Sequence, residues 1–299
     1  MARLRSPLWW FGGKGNMTAK LLPLLPRHEQ YDEPFFGGGS VFFAKAPCPH
    51  ETINDADEAV MTFFRVLRDR PDEFIARCQW TEYHEGLWRE CRATWRDEPD
   101  ELLRAWKWFV MVRQGFGGHP HTHGHSRTTT NRGRSGVVNS WIMAVERLPE
   151  VVERIRDAEM LCGDWWRAVQ ATDAPDCLHY LDPPYVPETR RSGNYEHELT
   201  LEDHERLVER LLHEVQGRVV LSGYAHPVYA PLEEAGWRRV DWETVCHAAG
   251  KTRGTGILGE GTGKQMQRRV ESVWLDPRTA AEVLPQRLLQ LEYDYEEVR

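Results

Sequence analysis

Four consecutive residues, Asp182-Pro183-Pro184-Tyr185, set a carboxylate, two prolines and an aromatic ring directly after the apolar run Cys177-Leu178-His179-Tyr180-Leu181. Such a run reads as a buried strand of a parallel sheet. Residues that follow it project at the carboxyl end of the sheet, where open α/β folds bind ligands. Two prolines fix φ and carry no N–H, so their carbonyl oxygens stay free to accept. With Asp182 as a further acceptor and Tyr185 as a stacking face, the four residues suit a planar base bearing an exocyclic amine. Pro-Pro alone would be an ordinary turn; the acid and the ring make the reading chemical.

A second constellation lies upstream. Pro34-Phe35-Phe36-Gly37-Gly38-Gly39-Ser40 follows a short strand and opens a helix, a place where glycines let a ligand approach the backbone and helix N–H groups face it. Asp55 stands eighteen residues beyond Gly37 at the end of the next strand. An acid at about that spacing meets a ribose hydroxyl. Gly12-Gly13-Lys14-Gly15-Asn16-Met17-Thr18 is not a phosphate loop, because it lacks the GxxxxGK[ST] spacing and follows no strand.

The elements that must position these residues follow from periodicity and turn signals. Residues 17–25 predict a short helix closed by Pro26; a strand enters Pro34, a helix leaves Ser40, and a second strand ends at Asp55. EAVMTFFRVLRD then has apolar residues at helical spacing. This β-α-β-α order implies a parallel sheet. From Pro71 to about Leu148 the texture changes: a helical stretch holds Trp80, Trp88, Trp95, Trp106 and Trp108, which read as its core, and then 113–136 loses apolar periodicity. Such a stretch inside a compact protein is functional or mobile. The sheet pattern resumes in AEMLCGD, CLHYLDPPY, GRVVLSGY and RRVESVWLD, each read as a buried parallel strand. The helix LTLEDHERLVERLLHEV between two of them carries Thr200 and Asp203 in a capping-box arrangement. The predicted fold is a doubly wound, mainly parallel α/β sheet, formed by 1–70 and 148–299 and interrupted by a largely helical insertion, 71–147.

Composition bounds the function classes. With 299 residues, 40% hydrophobic and 28% charged, the chain is globular, and no run of about 18 apolar residues offers a membrane span. Six cysteines without CxxC spacing argue against a zinc ribbon or redox dithiol. The N-terminal segment has no apolar core of a signal peptide, so a cytoplasmic location is expected. Net charge is −8, yet 1–28, 104–147 and 251–269 are each basic. These segments either converge on a polyanion-binding face or are scattered, solvated charge. Arg113, Arg127, Arg132 and Arg134 are the candidates for phosphate contact, and Gly115–Gly136 is either a phosphate-tracking loop or plain surface. The alternating His119, His121, His123 and His125 suit an extended loop more than a preformed metal site, and no metal is assigned.

In order and over nearly its whole length, the chain resembles the Dam-type DNA adenine-N6 methyltransferases. WWFGGKG is similar to the family's N-terminal motif, EPFFGGGS to its cofactor loop, INDAD to its acidic motif, LCGDWW to the segment that meets the cofactor's adenine, and DPPY to the amino-methyltransferase motif. The resemblance implies S-adenosylmethionine as cofactor, held by Trp10, Lys14, Glu33, Phe35, Gly37, Gly39, Ser40, Asp55 and Asp164. It implies double-stranded DNA as partner and no obligatory protein partner, with Asp182, Pro183, Pro184 and Tyr185 acting on the exocyclic amine of a flipped adenine. The alternatives are a cytosine exocyclic-amine methyltransferase and a catalytically silent DNA-binding relative. Intact Asp182, Tyr185, Lys14 and Asp55 disfavour the silent relative, and the aspartate form of the motif favours adenine. The chain departs from the pattern in its doubled Trp9-Trp10, its extra Gly38, an Asp57 where asparagine is common, and a 71–147 segment without a readable recognition signature.

Overall fold

The computed structural model describes residues 4–10, 12–116, 122–126, 130, 133–189, 197–245 and 268–285. They fall into two compact units, one holding residues up to Pro23 with His28–Thr172, the other Leu24–Arg27 with the described residues from Asp173 onward. This division differs from a split at 70/71 and 147/148, because the inserted helices share an aromatic core with the element before them.

In the first unit, α1 (Thr18–Leu21) precedes β1 (Gln30–Glu33), α2 (Ser40–Ala44), β2 (His50–Asp55) and α3 (Glu58–Asp69), close to the boundaries read from the sequence. After α4 (Pro71–Gln79), α5 (Glu85–Thr94), α6 (Glu101–Gln114), α7 (Gly136–Glu146) and α8 (Leu148–Ile155), the chain returns in β3 (Glu159–Cys162) and α9 (Trp165–Thr172). The strand order is β3-β2-β1, parallel throughout. β3 is only partly buried, contrary to expectation, since in this unit it borders β2 alone.

The insertion is held to α3 by rings at helical spacing. Phe63 stacks on Phe109 at 5.1 Å and meets Phe74 at 5.6 Å and Trp108 at 5.7 Å. Two of the buried indoles keep a polar partner: Trp88 Nε1 donates to the Met111 carbonyl at 3.0 Å and Trp106 Nε1 to Thr81 Oγ1 at 2.8 Å. Trp88, Trp95, Trp106 and Trp108 are buried as predicted, but Trp80 is 88% exposed. It follows the last residue of α4, where no neighbouring helix covers it.

In the second unit, β4 (Cys177–Leu181), α10 (Leu201–His213), β5 (Arg218–Tyr224), α11 (Ala230–Glu234), β6 (Arg238–Val245) and β7 (Arg268–Leu275) give the order β4-β5-β7-β6. β4 and β5 are parallel, whereas β7 runs antiparallel to both β5 and β6. The expectation of a parallel RRVESVWL strand is therefore corrected: β6, unforeseen because Arg239, Asp241 and Glu243 break up any apolar run, enters beside it and reverses the direction. α10 opens on the capping box, with Thr200 N–H donating to Asp203 Oδ2 at 2.8 Å and Asp203 N–H to Thr200 Oγ1 at 3.2 Å. The whole is a Rossmann-like α/β fold with mainly parallel strand pairing, as read from the sequence. Among the described residues, no helix is long and apolar enough to cross a membrane.

Candidate active site

In the first unit the turns at the carboxyl ends of β1, β2 and β3 are tied to one another by backbone groups. Gly37 N–H donates to Asp55 Oδ2 at 2.6 Å, and Asp57 N–H donates to Asp55 Oδ1 at 2.8 Å. Asn54 Nδ2 donates to the carbonyls of Pro34 at 2.9 Å and Gly163 at 3.0 Å, while Gly163 N–H returns to the Asp55 carbonyl at 3.0 Å. The glycine turn and Asp55 thus meet, in keeping with their spacing, and the segment ahead of Asp164, singled out only by the resemblance, is tied to the same turns. Asn54 was not among the predicted residues; its signal was a buried amide immediately before the strand-terminal acid.

The glycines are required by shape. Gly37 and Gly39 have φ of +47° and +64°, a region L side chains rarely adopt. A Cβ on Gly37 would lie 2.4 Å from Trp10 Nε1, and one on Gly38 2.9 Å from Trp10 Cβ. The extra glycine of the loop is therefore explained by the Trp10 side chain lying against it. Ser40 opens α2 beside Gly13, whose Cβ position is 3.6 Å from the Ser40 hydroxyl. Lys14 is buried, with Nζ donating to the Gly12 carbonyl at 3.2 Å. Phe35 stacks on Trp165 at 5.7 Å. Glu33 accepts from Tyr31 Oη at 2.7 Å and from Phe42 N–H at 3.1 Å. Asp164 is exposed and its Oδ1 accepts from Trp166 N–H at 3.0 Å, opening α9. Asp57 caps α3 through Ala59 N–H at 2.9 Å, a structural use of the residue that departs from the family pattern.

In the second unit Asp182-Pro183-Pro184-Tyr185 leaves the end of β4 as predicted. Asp182 and Pro184 are partly exposed, Pro183 and Tyr185 buried. Tyr185 Oη donates to Glu271 Oε2 on β7 at 2.7 Å, and its ring meets Tyr224 at the end of β5 edge-on at 4.5 Å. Burial first, then the charges of Asp182 and Glu271, push the Tyr185 phenol well above its usual pKa, so it stays protonated. Glu271 and Tyr224 were missed in the sequence. An acid set between Val270 and the run Ser272-Val273-Trp274-Leu275 was the available signal.

The basic candidates of the insertion divide. Arg127 and Arg132 lie outside the described residues, as do His119 and His121. Arg134 is exposed. Arg113 is turned inward: its Nη2 donates to the Ser140 carbonyl at 2.7 Å and hydroxyl at 3.0 Å, joining α6 to α7. Burial, reinforced by Arg147, lowers its pKa to about 10. His123 is 6% exposed between Tyr83 and Trp88, at 4.9 and 5.7 Å, with His125 edge-on at 5.0 Å.

Comparison with known proteins adds to this geometry. The family model for D12 class N6 adenine-specific DNA methyltransferase matches residues 10–241. The type II methyltransferase M1.LlaDCHI of Lactococcus lactis subsp. cremoris is 30% identical over 210 residues, covering 66% of this chain and 72% of that relative. The DNA N-6-adenine-methyltransferase of Escherichia phage P1 is 25% identical over 244 residues, 78% of this chain but 32% of the phage protein. The DNA adenine methylase of Escherichia coli strain K12 is 24% identical over 191 residues, 62% of this chain and 67% of its own length.

Proposed function

The chain belongs to the D12 class of N6 adenine-specific DNA methyltransferases, and from that premise we propose that it transfers a methyl group from S-adenosylmethionine to the exocyclic amine of an adenine flipped out of double-stranded DNA. The observation that carries the reading is the Asp182–Tyr185 segment at the carboxyl end of β4, with its acid partly exposed and its ring held by two neighbours.

The residues of the first unit fit the cofactor. A carboxylate at the end of β2 offers acceptors to a ribose diol; the left-handed glycines keep the β1 turn free of side chains; Phe35 and Asp164 offer a ring and an acceptor to the adenine. Trp10, Lys14, Glu33, Gly37, Gly39 and Ser40 complete the set. When bound, S-adenosylmethionine supplies an electrophilic methyl on its sulfonium.

An adenine stacked in a duplex cannot reach a pocket, so the base leaves the helix at an unstacking cost of a few kcal/mol. Asp182 and the Pro183 carbonyl accept from the amine and orient its lone pair for attack, while Tyr185 stacks on the ring. The amine is far too weak an acid to ionise first, so catalysis is positioning and charge stabilisation of a direct displacement. The helical segment 71–147 is the target-recognition element. Arg134, with Arg127 and Arg132, contacts phosphate, and Arg113 supports that segment from inside.

The test is to incubate the full chain with mixed-sequence duplex DNA and labelled S-adenosylmethionine, digest to nucleosides and identify the product by mass spectrometry. N6-methyladenine without methylcytosine is expected. Methylcytosine as main product, or no methylated nucleoside, overturns the proposal.

A further inference from the structure

We infer that Glu271 is a positioning residue for Tyr185: its carboxylate fixes the phenol and, with Tyr224 against the ring, sets the plane on which the target base stacks. The inference rests on the reading of Asp182–Tyr185 as the target-base site and names the device that holds its ring.

Two prolines stiffen the backbone ahead of Tyr185, yet backbone conformation only narrows the choice of staggered rotamers and does not by itself fix the ring. A stacking face that can swing costs rate, because small misplacements at a reacting centre are expensive. The Oη–Oε2 separation of 2.7 Å marks a hydrogen bond to a charged acceptor, about twice as strong as a neutral one. Glu271 is itself fixed, lying in register opposite Tyr224 of β5 on one side and Trp242 of β6 on the other. Tyr224 meets the Tyr185 ring at 4.5 Å and 69°, the edge-on geometry aromatic pairs prefer. The ring is thus held at its hydroxyl by β7 and at its side by β5, two strands that pair with each other. It follows that the phenol proton is committed to Glu271, and Tyr185 acts by its π-face, not as acceptor of the amine's proton.

The test uses the full chain, mixed-sequence duplex DNA and tritiated S-adenosylmethionine at saturation. Glu271→Leu should lower kcat about tenfold to hundredfold while leaving the dissociation constant for S-adenosylmethionine unchanged. Glu271→Gln, which keeps an acceptor for the phenol, should recover most of that loss. Tyr185→Phe removes the same bond from the other side, so the double variant Tyr185→Phe/Glu271→Leu should be no slower than Glu271→Leu. If Glu271→Leu does not fold, Tyr185→Phe decides alone: it removes the same bond and should lower kcat by a similar factor with the dissociation constant for S-adenosylmethionine unchanged, and a wild-type kcat overturns the inference. An active wild type with Glu271→Leu equally fast, or losses that multiply in the double variant, overturns the inference alone. A wild type that transfers no methyl overturns the target-base reading and this inference with it.

Discussion

The turns that end β1, β2 and β3 and the segment that ends β4 do comparable jobs by opposite means. In the first, backbone groups are the structural material: Gly37 N–H on Asp55, the Pro34 and Gly163 carbonyls on Asn54, and two glycines in left-handed conformation. In the second, side chains are: Asp182 presents the acceptor, and Tyr185 is held by Glu271 and Tyr224. A site made of backbone is sensitive to what is added to it, because any Cβ intrudes. A site made of side chains is sensitive to what is removed. The residues to substitute differ accordingly.

The largest effect belongs to the side-chain site. Asp182→Ala should reduce methyl transfer by about a hundredfold or more, as loss of one group aimed at the reacting centre does, with cofactor affinity within about tenfold of wild type. Single-turnover transfer of a tritiated methyl group, paired with calorimetry, checks both halves; wild-type rates would remove Asp182 from the chemistry. At the backbone site Gly37→Ala should do damage by addition. Its φ of +47° costs an L residue about 1–2 kcal/mol, and the new Cβ at 2.4 Å from Trp10 Nε1 must displace the indole. Gly133 is the control, since its φ is +70° and no described residue lies within 4 Å of its Cβ position. Gly133→Ala should show the φ cost alone, by thermal unfolding, with no loss of cofactor binding. If the two variants behave alike, the close approach of Trp10 does not matter and the contrast between the sites weakens.

Asp55 sharpens the comparison, being a side chain in a backbone site. Asp55→Ala leaves the Gly37 N–H without its acceptor and removes the proposed ribose ligand, so S-adenosylmethionine should bind more weakly by about 1–3 kcal/mol. Unchanged calorimetric affinity would confine Asp55 to holding the turn.

The same contrast explains what could be read from the sequence. Gly37 and Asp55 are eighteen residues apart, within one β-α-β unit, and local spacing carries that pair. Thr200 and Asp203 are three apart, and their mutual capping was legible for the same reason. Tyr185 and Glu271 are separated by 86 residues, and they meet only because β7 enters antiparallel beside β5. No periodicity encodes that pairing, and β6, whose insertion sets the direction, is disguised by its alternating charges. Arg113 shows the converse. Charge in a basic stretch reads as surface until packing shows α6 and α7 closing over it, with Ser140 accepting its guanidinium.

The smallest effect lies away from both sites, in the insertion, and measures what an uncompensated polar group costs. His123 is packed between Tyr83 and Trp88, and neither ring nitrogen has a hydrogen-bond partner among the described residues. Burial, and then the neighbouring His125, lowers its pKa from the usual 6.5. The sign follows: the folded state holds His123 neutral, so the unfolded chain binds the extra proton first as pH falls. Stability attributable to this residue is complete above about pH 6.5 and is lost as pH drops through the depressed folded value. His123→Phe keeps an aromatic ring between Tyr83 and Trp88 and removes both unpaired nitrogens. It should therefore raise stability at pH 7.5 by about 1 kcal/mol, in line with the penalty for an unsatisfied buried polar group, and flatten the pH dependence of the melting temperature between pH 7 and 5. Thermal unfolding of wild type and variant across that range checks it. A variant less stable at pH 7.5 with the same slope below 6.5 would mean that the histidine nitrogens are bonded in solution and that the acid-sensitive group lies elsewhere.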